Sequence, residues 1–431
     1  MAVQESASTD QSADGDGAGS QATAADVPTG LMVTLIGLTF VMNTFGRGVT
    51  ETFAVFLLPV EAAFSASRSE ITATYSVYML VHGIAAPFAG QLVDRFGGRL
   101  TYCAGLSLLG GGYVLGGMAE TVPQYYVTVG AMSGLGAACL GMVVASSLLS
   151  RWFTRRLGSV MSIPYAAVGF GVLLVPPITQ YLLTHYDWRM AHTLLGLAVL
   201  ALLPLLFLLP LARLTRGSPE WQAQRISAAE TGAPMWTVSR ALKTPAFWAL
   251  FSVYFWTAVA AYTVLPQSVA FLVENGFDPL VAAGAFGVTG ALSTVGIMAM
   301  GWISDRFGRL PATVVSYLMS MSGVACLIAV VWWPHLIFVY AFVTLFGLMQ
   351  GARGPIIAAL AATLYRGGSV GAIFGALSFA LGIGAAAGSL LSGLLHDLTH
   401  DYVASFSLAI VASLLGMLSY VGSGSLRRER L

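Results

Sequence analysis

Charge is what this chain of 431 residues has least of: Asp, Glu, Lys and Arg make up 9% of it, against 57% hydrophobic residues. Soluble domains carry about 25% charged residues, so a water-soluble fold is excluded and an all-α integral membrane protein is expected. Lysine is nearly missing. Its single copy, Lys243, stands in Ala-Leu-Lys-Thr-Pro, so no phosphate-cradling loop ending Gly-Lys-Ser/Thr is available to a primary pump. No apolar run holds a lysine either, which excludes a retinal Schiff base. The three cysteines, Cys103, Cys139 and Cys326, lie inside apolar runs without CxxC or metal spacing. They read as small buried residues, not as a disulfide framework. No cluster of His, Cys, Ser and carboxylates converges at membrane depth, so neither an enzyme nor a cofactor nor a metal is expected.

What the chain does have is length without polarity. Twelve runs approach or exceed the roughly 20 residues that a helix needs to cross a bilayer. They cover about 31–58, 71–93, 100–118, 122–149, 157–183, 190–211, 246–273, 280–303, 312–332, 336–364, 370–395 and 403–421. Short Gly, Pro and charged breaks part them, so neighbours run antiparallel. The expected domains are a tail (1–29), a six-helix bundle (30–211), a linker (212–244), a second six-helix bundle (245–422) and a basic tail (423–431). Residues 1–29 are polar and small and contain no Lys or Arg. They read as a disordered cytoplasmic tail rather than a signal peptide. If both termini are cytoplasmic, 16 basic residues fall on the inner side and only Arg68 and Arg189 on the outer side. That asymmetry sets the expected orientation in a cell membrane.

A polar cluster recurs once in each half. Gly90-Gln-Leu-Val-Asp-Arg-Phe-Gly-Gly-Arg-Leu100 returns as Gly301-Trp-Ile-Ser-Asp-Arg-Phe-Gly-Arg-Leu310, setting Asp94 against Asp305, Arg95 against Arg306 and Gly97 against Gly308. Two copies at one place in two hydrophobic halves imply a duplicated membrane protein. With the number of spans, the loop resembles the signature between the second and third helices of major facilitator superfamily transporters. That resemblance implies twelve helices in two pseudo-symmetric bundles, with Gly90, Asp94, Arg95, Gly97, Arg99, Gly301, Asp305, Arg306, Gly308 and Arg309 as a cytoplasmic conformational latch. Gly98 stands where the family usually has Arg.

Further stretches resemble the monocarboxylate and oxalate/formate branch. They are Phe53-Ala-Val-Phe56 with Leu58-Pro59 and Ser67-Arg68, then Trp152-Phe153, Arg155-Arg156 and Gly158 leading to Gly169-Phe170-Gly171, and finally Asp187-Trp188-Arg189. The eighth run lacks the Arg that this branch commonly carries there, so no substrate role transfers to it. The fifth run reads Leu174-Val175-Pro176-Pro177 instead of the Gly-Pro antiporter motif, which argues against drug export.

Two arginines, Arg47 and Arg353, lie inside spans. Burying such a group costs about 2.5–3.5 kcal/mol on insertion scales, so each should face a cavity or a partner. The family resemblance places the first, fourth, seventh and tenth helices around the central cavity, and these residues fall on two of them. A carboxylate held by guanidinium is the expected ligand. Two structural alternatives stand beside it. Glu51, four residues after Arg47, can pair with it, and Arg353, before Gly354-Pro355, can satisfy carbonyls freed by a kink. Tyr262, Gln267 and Phe251 in the aromatic seventh run are further substrate candidates. Glu51 and His82 are candidates for proton coupling. His396 and His400, four apart in a connecting loop, read as a solvated turn.

The expected activity is secondary transport of a small organic anion, a mono- or dicarboxylate, taken up with protons through a monomer. Uptake of a neutral or aromatic nutrient such as a vitamin is the alternative, with export of a drug or metabolite ranked below it.

Overall fold

The computed structural model describes residues 29–153, 157–218, 222, 236–365 and 370–424. The expected tail through residue 28, about half of the linker (219–221 and 223–235) and the basic tail from 425 lie outside the described residues. So do Arg155, Arg156 and Arg366. Every regular element among the described residues is helical.

Twelve crossings follow in order. The first is α1 (Gly30–Phe64). The 50-residue run Arg68–Gly117 is two crossings, α2 (68–96) and α3 (98–117), parted at Gly97, whose φ of 83° lies outside helical space. Then come α4 (Val122–Ser150), α5 (Leu157–His185), α6 (Trp188–Leu208), α7 (Pro245–Glu274), α8 (Pro279–Phe307) and α9 (Arg309–Ala329). The tenth, α10, is broken into Leu336–Met349 and Arg353–Leu364. The chain ends with α11 (Val370–Thr399) and α12 (Val403–Gly422). An even number of crossings brings Gly30 and Gly422 to one face, here the terminal face; the other is the distal face.

Local chemistry sets the helix starts. Thr244 and Asp278 accept hydrogen bonds from the first free N–H groups of α7 and α8, and each is followed by Pro at the first helical position. Ser67 and Glu70 form a reciprocal capping box at the start of α2. That box carries α2 three residues beyond the expected Ile71, back to Arg68. At the other end of the turn, α1 continues past the expected Leu58 to Phe64. Two charged residues, Glu61 and Arg68, are thereby drawn from an expected loop into helix ends.

The repeated loops fold alike. Gly97 and Gly308 take φ of 83° and 93°, a left-handed conformation that costs a residue with a Cβ about 1–2 kcal/mol. The fourth helix of each half is also interrupted. A π-helical turn (Tyr126–Met132) and an extended Gly141 divide α4, while Gln350 and left-handed Gly351 divide α10.

The halves meet along α2 with α11 and α5 with α8. A Cβ on Gly83 of α2 would lie 3.1 Å from the Cα of Gly382 on α11, so a larger residue would push the helices apart by a few tenths of an ångström. Nearer the distal face, Ser389 Oγ donates to the carbonyl of Thr72 at 3.1 Å. The segment after α6 is pinned beneath the first half. Trp152 Nε1 donates to the Leu214 carbonyl at 2.6 Å, Arg151 Nη1 to that of Thr215 at 2.7 Å, and the Gly98 amide to Thr215 Oγ1 at 3.0 Å.

Gly97→Ala should lower the melting temperature of the detergent-purified protein, since the strained turn costs about 1–2 kcal/mol. Gly111→Ala, whose Cβ would meet open space within a helix, should leave it unchanged or raise it.

Candidate functional site

Halfway through the fold, the two halves touch through a charged group. Arg47 Nη2 lies 2.6 Å from Glu51 Oε1 one turn on and donates to the Tyr262 hydroxyl on α7 at 2.5 Å. Glu51 Oε1 also accepts from the Tyr75 hydroxyl on α2 at 3.0 Å. The Glu51 side chain is 4% exposed, whereas that of Arg47 keeps 23% exposure although it sits at mid-span. An arginine that is both paired and reachable is what a ligand-exchanging site needs. Around the pair stand tyrosines. The Tyr75 ring centroid is 5.3 Å from that of Tyr78 and 6.0 Å from that of Tyr262, and Tyr78 donates to Thr50 Oγ1 at 3.1 Å. His82 follows on α2 with its ring 5.9 Å from Tyr78, half-buried. A small cavity of about 10 Å³, room for a single water, is lined by Thr50, Tyr75, Tyr78 and Tyr113 among others.

The expected residues therefore divide. Arg47, Glu51 and Tyr262 converge, with His82 one step away. Gln267 does not join them: it is fully buried, and its Oε1 accepts from Arg68 Nη1 at 3.3 Å near the distal face. Phe251 packs on Phe247 and Trp248, at ring distances of 6.2 and 5.4 Å.

Arg353 also stands apart. Its Nε donates to Ser316 Oγ at 3.0 Å and its Nη2 to the Ser316 carbonyl at 2.9 Å and to Ser320 Oγ, all on α9. The guanidinium lies over the Tyr317 ring at 4.1 Å. A cation over an aromatic face is worth about 2 kcal/mol when desolvated, and each hydrogen bond to a charged group about 1.5–3 kcal/mol, so these contacts offset the insertion cost. The acceptors come from α9 rather than from carbonyls freed at Pro355.

The two polar loops keep to their own halves in their described contacts. Asp94 Oδ1 accepts from Arg151 Nη2 at 2.5 Å and from Ser147 Oγ at 3.0 Å. Arg95 lies over Phe96, and Arg99 donates to the Leu209 carbonyl at 3.0 Å. Gly90 faces Val143, which a Cβ would meet at 3.2 Å. In the second copy Arg306 lies over Trp302 and Phe307. Arg309 opens α9, while the side-chain surroundings of Gly301 and Asp305 lie outside what is described.

Two features escape the sequence reading. His192, two residues past the start of the expected sixth run, is 1% exposed; its ring stacks on Phe56 at 3.8 Å and its Nε2 is 2.9 Å from the Tyr125 hydroxyl. Near the distal face Arg68 is 3% exposed and binds residues of both halves, although it reads as a loop charge. Its capping-box neighbours Ser67 and Glu70 were the available signal. Among the described residues no group of His, Cys, Asp and Glu is placed to hold a metal.

The profile of the Major Facilitator Superfamily matches residues 36–343 and 295–430. The chain belongs to this superfamily. Within it, the chain is 25% identical over 341 residues to the Uncharacterized MFS-type transporter YcxA of Bacillus subtilis, covering 78% of this chain and 81% of that protein. It is 28% identical over 288 residues to Monocarboxylate transporter 13 of Bos taurus, covering 66% of this chain and 64% of that protein. Among solved structures, the D-xylose-proton symporter superposes with a TM-score of 0.69 over 92% of this chain and 98% of the symporter, at 16% identity. A peptide transporter in complex with sulfate superposes with 0.72 over 92% and 95%, at 14% identity. At such identities the likeness shows the fold alone. The protein is a multi-pass major facilitator transporter resembling the monocarboxylate branch, and not an enzyme.

The contacts of Arg353 generate a prediction that separates structural from binding roles. Replacing Ser316 and Ser320 together by Ala should cost about 1–3 kcal/mol for each acceptor lost, read as a lower melting temperature. Equilibrium binding of transported anions should stay within about twofold of wild type, because Arg353 is turned toward α9.

Proposed function

We propose that this major facilitator protein takes up a small organic anion, a mono- or dicarboxylate, together with protons, by alternating access across the cell membrane. The observation that carries this reading is the Arg47–Glu51 ion pair at mid-span, its arginine partly accessible and bonded to Tyr262 of the opposite half. With Glu51 ionised, the pair is neutral and attracts no anion. With Glu51 protonated, Arg47 is left as a net positive charge into which a carboxylate fits, replacing Glu51 as the acceptor. Proton and anion then load together, so a monocarboxylate would cross as a neutral pair. The low cost of the doubly loaded state follows from returning the buried charge to near zero once proton and monocarboxylate are both bound.

The names of the monocarboxylate relatives support the substrate class, and the name of the D-xylose-proton symporter, of the same fold, supports proton coupling. Phe251, packed on its own neighbours, favours the anion over an aromatic nutrient. In this reading Arg353 buttresses α10 at its break against α9 instead of touching cargo. His82 lies near enough to relay the proton. The excess of basic residues puts the terminal face and both termini in the cytoplasm. Asp94, held by Arg151 and Ser147, is the first-half part of the latch.

The test is uptake into proteoliposomes of a panel of labelled mono- and dicarboxylates of two to four carbons, under an imposed pH gradient. Wild type should accumulate at least one of them, faster as the outer pH falls. Arg47→Ala should raise the half-saturation concentration about 30–150-fold, as expected for the loss of a paired charge contact of about 2–3 kcal/mol. Glu51→Gln should keep exchange of labelled for unlabelled anion yet lose acceleration by the gradient. Transport by Arg47→Ala at wild-type half-saturation would sink the site assignment.

A further inference from the structure

The distal closure is built around one arginine. Arg68, at the first turn of α2, uses every nitrogen of its side chain. Nε lies 2.6 Å from Glu61 Oε2 on α1, Nη1 donates to the Tyr402 hydroxyl at 2.6 Å and to Gln267 at 3.3 Å, and Nη2 donates to Glu274 Oε1 at 2.6 Å. Its backbone amide and that of Ser69 donate to the two carboxylate oxygens of Asp397 on α11, at 3.0 and 2.9 Å. Gln267, Glu274, Asp397 and Tyr402 all belong to the second half of the chain. Arg68 is thus a bolt between halves, and any opening at this face must break it.

We propose that Glu274 is a proton-binding site that operates this bolt, so that acid on the distal side releases the closure. The argument is one of hydrogen-bond direction. Both Glu274 oxygens are acceptors: Oε1 takes a hydrogen from Arg68 and Oε2 takes one from the Tyr402 hydroxyl at 2.7 Å. The Tyr402 oxygen, in turn, already accepts from Arg68. Ionised, Glu274 thus accepts on both sides of the ring and supplies the charge that holds Arg68 across the halves. Protonation removes that charge. Glu61 stays with Arg68 inside the first half, so the arginine keeps a counter-charge when the halves part. Access is provided as well: the Glu274 side chain is 37% exposed, against 3% for Arg68.

Four titratable or charged groups act on Glu274 directly: Glu61 of α1, Arg68 of α2, His396 of α11 and Tyr402 of the following connection; Asp397 and His400 stand beside His396. A positive charge on His396 would oppose proton uptake at Glu274.

The assignment of the distal side as the outside rests on the orientation proposed above, but the bolt needs no assumption about cargo. Its test accordingly contains no substrate. Nitroxide labels on Ala62→Cys and Leu398→Cys, exposed at the distal ends of α1 and α11, would be measured by electron–electron double resonance in nanodiscs, with Cys103, Cys139 and Cys326 replaced by Ser. In the otherwise wild-type protein, a longer distance should gain population between pH 8 and pH 5. Glu274→Gln should raise the open-to-closed ratio at pH 8 at least about tenfold, the loss expected for a cross-interface charge pair, and flatten its pH dependence. Glu61→Gln should retain the dependence. A wild-type distance distribution that ignores pH, or a Glu274→Gln protein that titrates like wild type, would overturn the proposal. Either result would leave the anion reading at Arg47 untouched.

Discussion

A guanidinium at membrane depth cannot shed its proton and cannot find water in lipid, so other helices must supply its acceptors. Arg47 and Arg353 answer that demand by tying separate helices together, and Arg68, buried among the distal helix ends, does the same. Arg353 ties α10 to α9, Arg47 ties α1 to α7, and Arg68 ties α2 to α7, α11 and the turn before α12. The first tie lies within one half and is saturated by neutral oxygens and a ring. The other two join the halves and include carboxylates. The distinction is chemical as well as spatial, because a tie made to a carboxylate can be loosened by a proton, whereas one made to serine oxygens cannot.

The duplicated architecture explains where these ties fall. Gly97 and Gly308 turn the chain identically after the second helix of each half. The fourth helix is interrupted in both, at Gly141 and at Gln350–Gly351. An interrupted helix frees carbonyls and creates a new N-terminus, and in α10 Arg353 is the first residue after the break. A positive charge there opposes the helix dipole. Its side chain leaves the helix axis and finds Ser316, Ser320 and Tyr317 instead, so a residue unfavourable to its own helix becomes the bracket that holds the break against α9.

The central pair and the distal bolt fit a single proposed sequence of events. Outer acid would loosen Arg68 from Glu274, the opened cleft would expose Arg47, and a second proton on Glu51 would admit the anion. Both steps remove negative charge from a carboxylate that holds an arginine. Neither requires a cofactor or a soluble domain.

Apolar length, the repeated loop and the one-sided basic residues are enough to read twelve crossings, the duplication and the superfamily from the residues alone, because hydrophobic matching and helix capping act over short sequence distances. The convergence of Arg47 with Glu51 was likewise readable, since four residues make one helical turn. Its bond to Tyr262, 215 residues away, was not. Nor was the separation of Arg353 from it: a residue number gives depth along a helix but not the azimuth at which the side chain leaves, and a break at Gly351 resets that azimuth. Glu61, Arg68, Glu274 and Asp397 looked like ordinary loop charges because their meaning depends on which helix ends meet across the two halves. The sequence by itself determined the membrane class, the count of helices and the cost of each buried charge. Only the tertiary structure decided which charges face one another, since partner choice is set by helix packing between segments far apart in the chain.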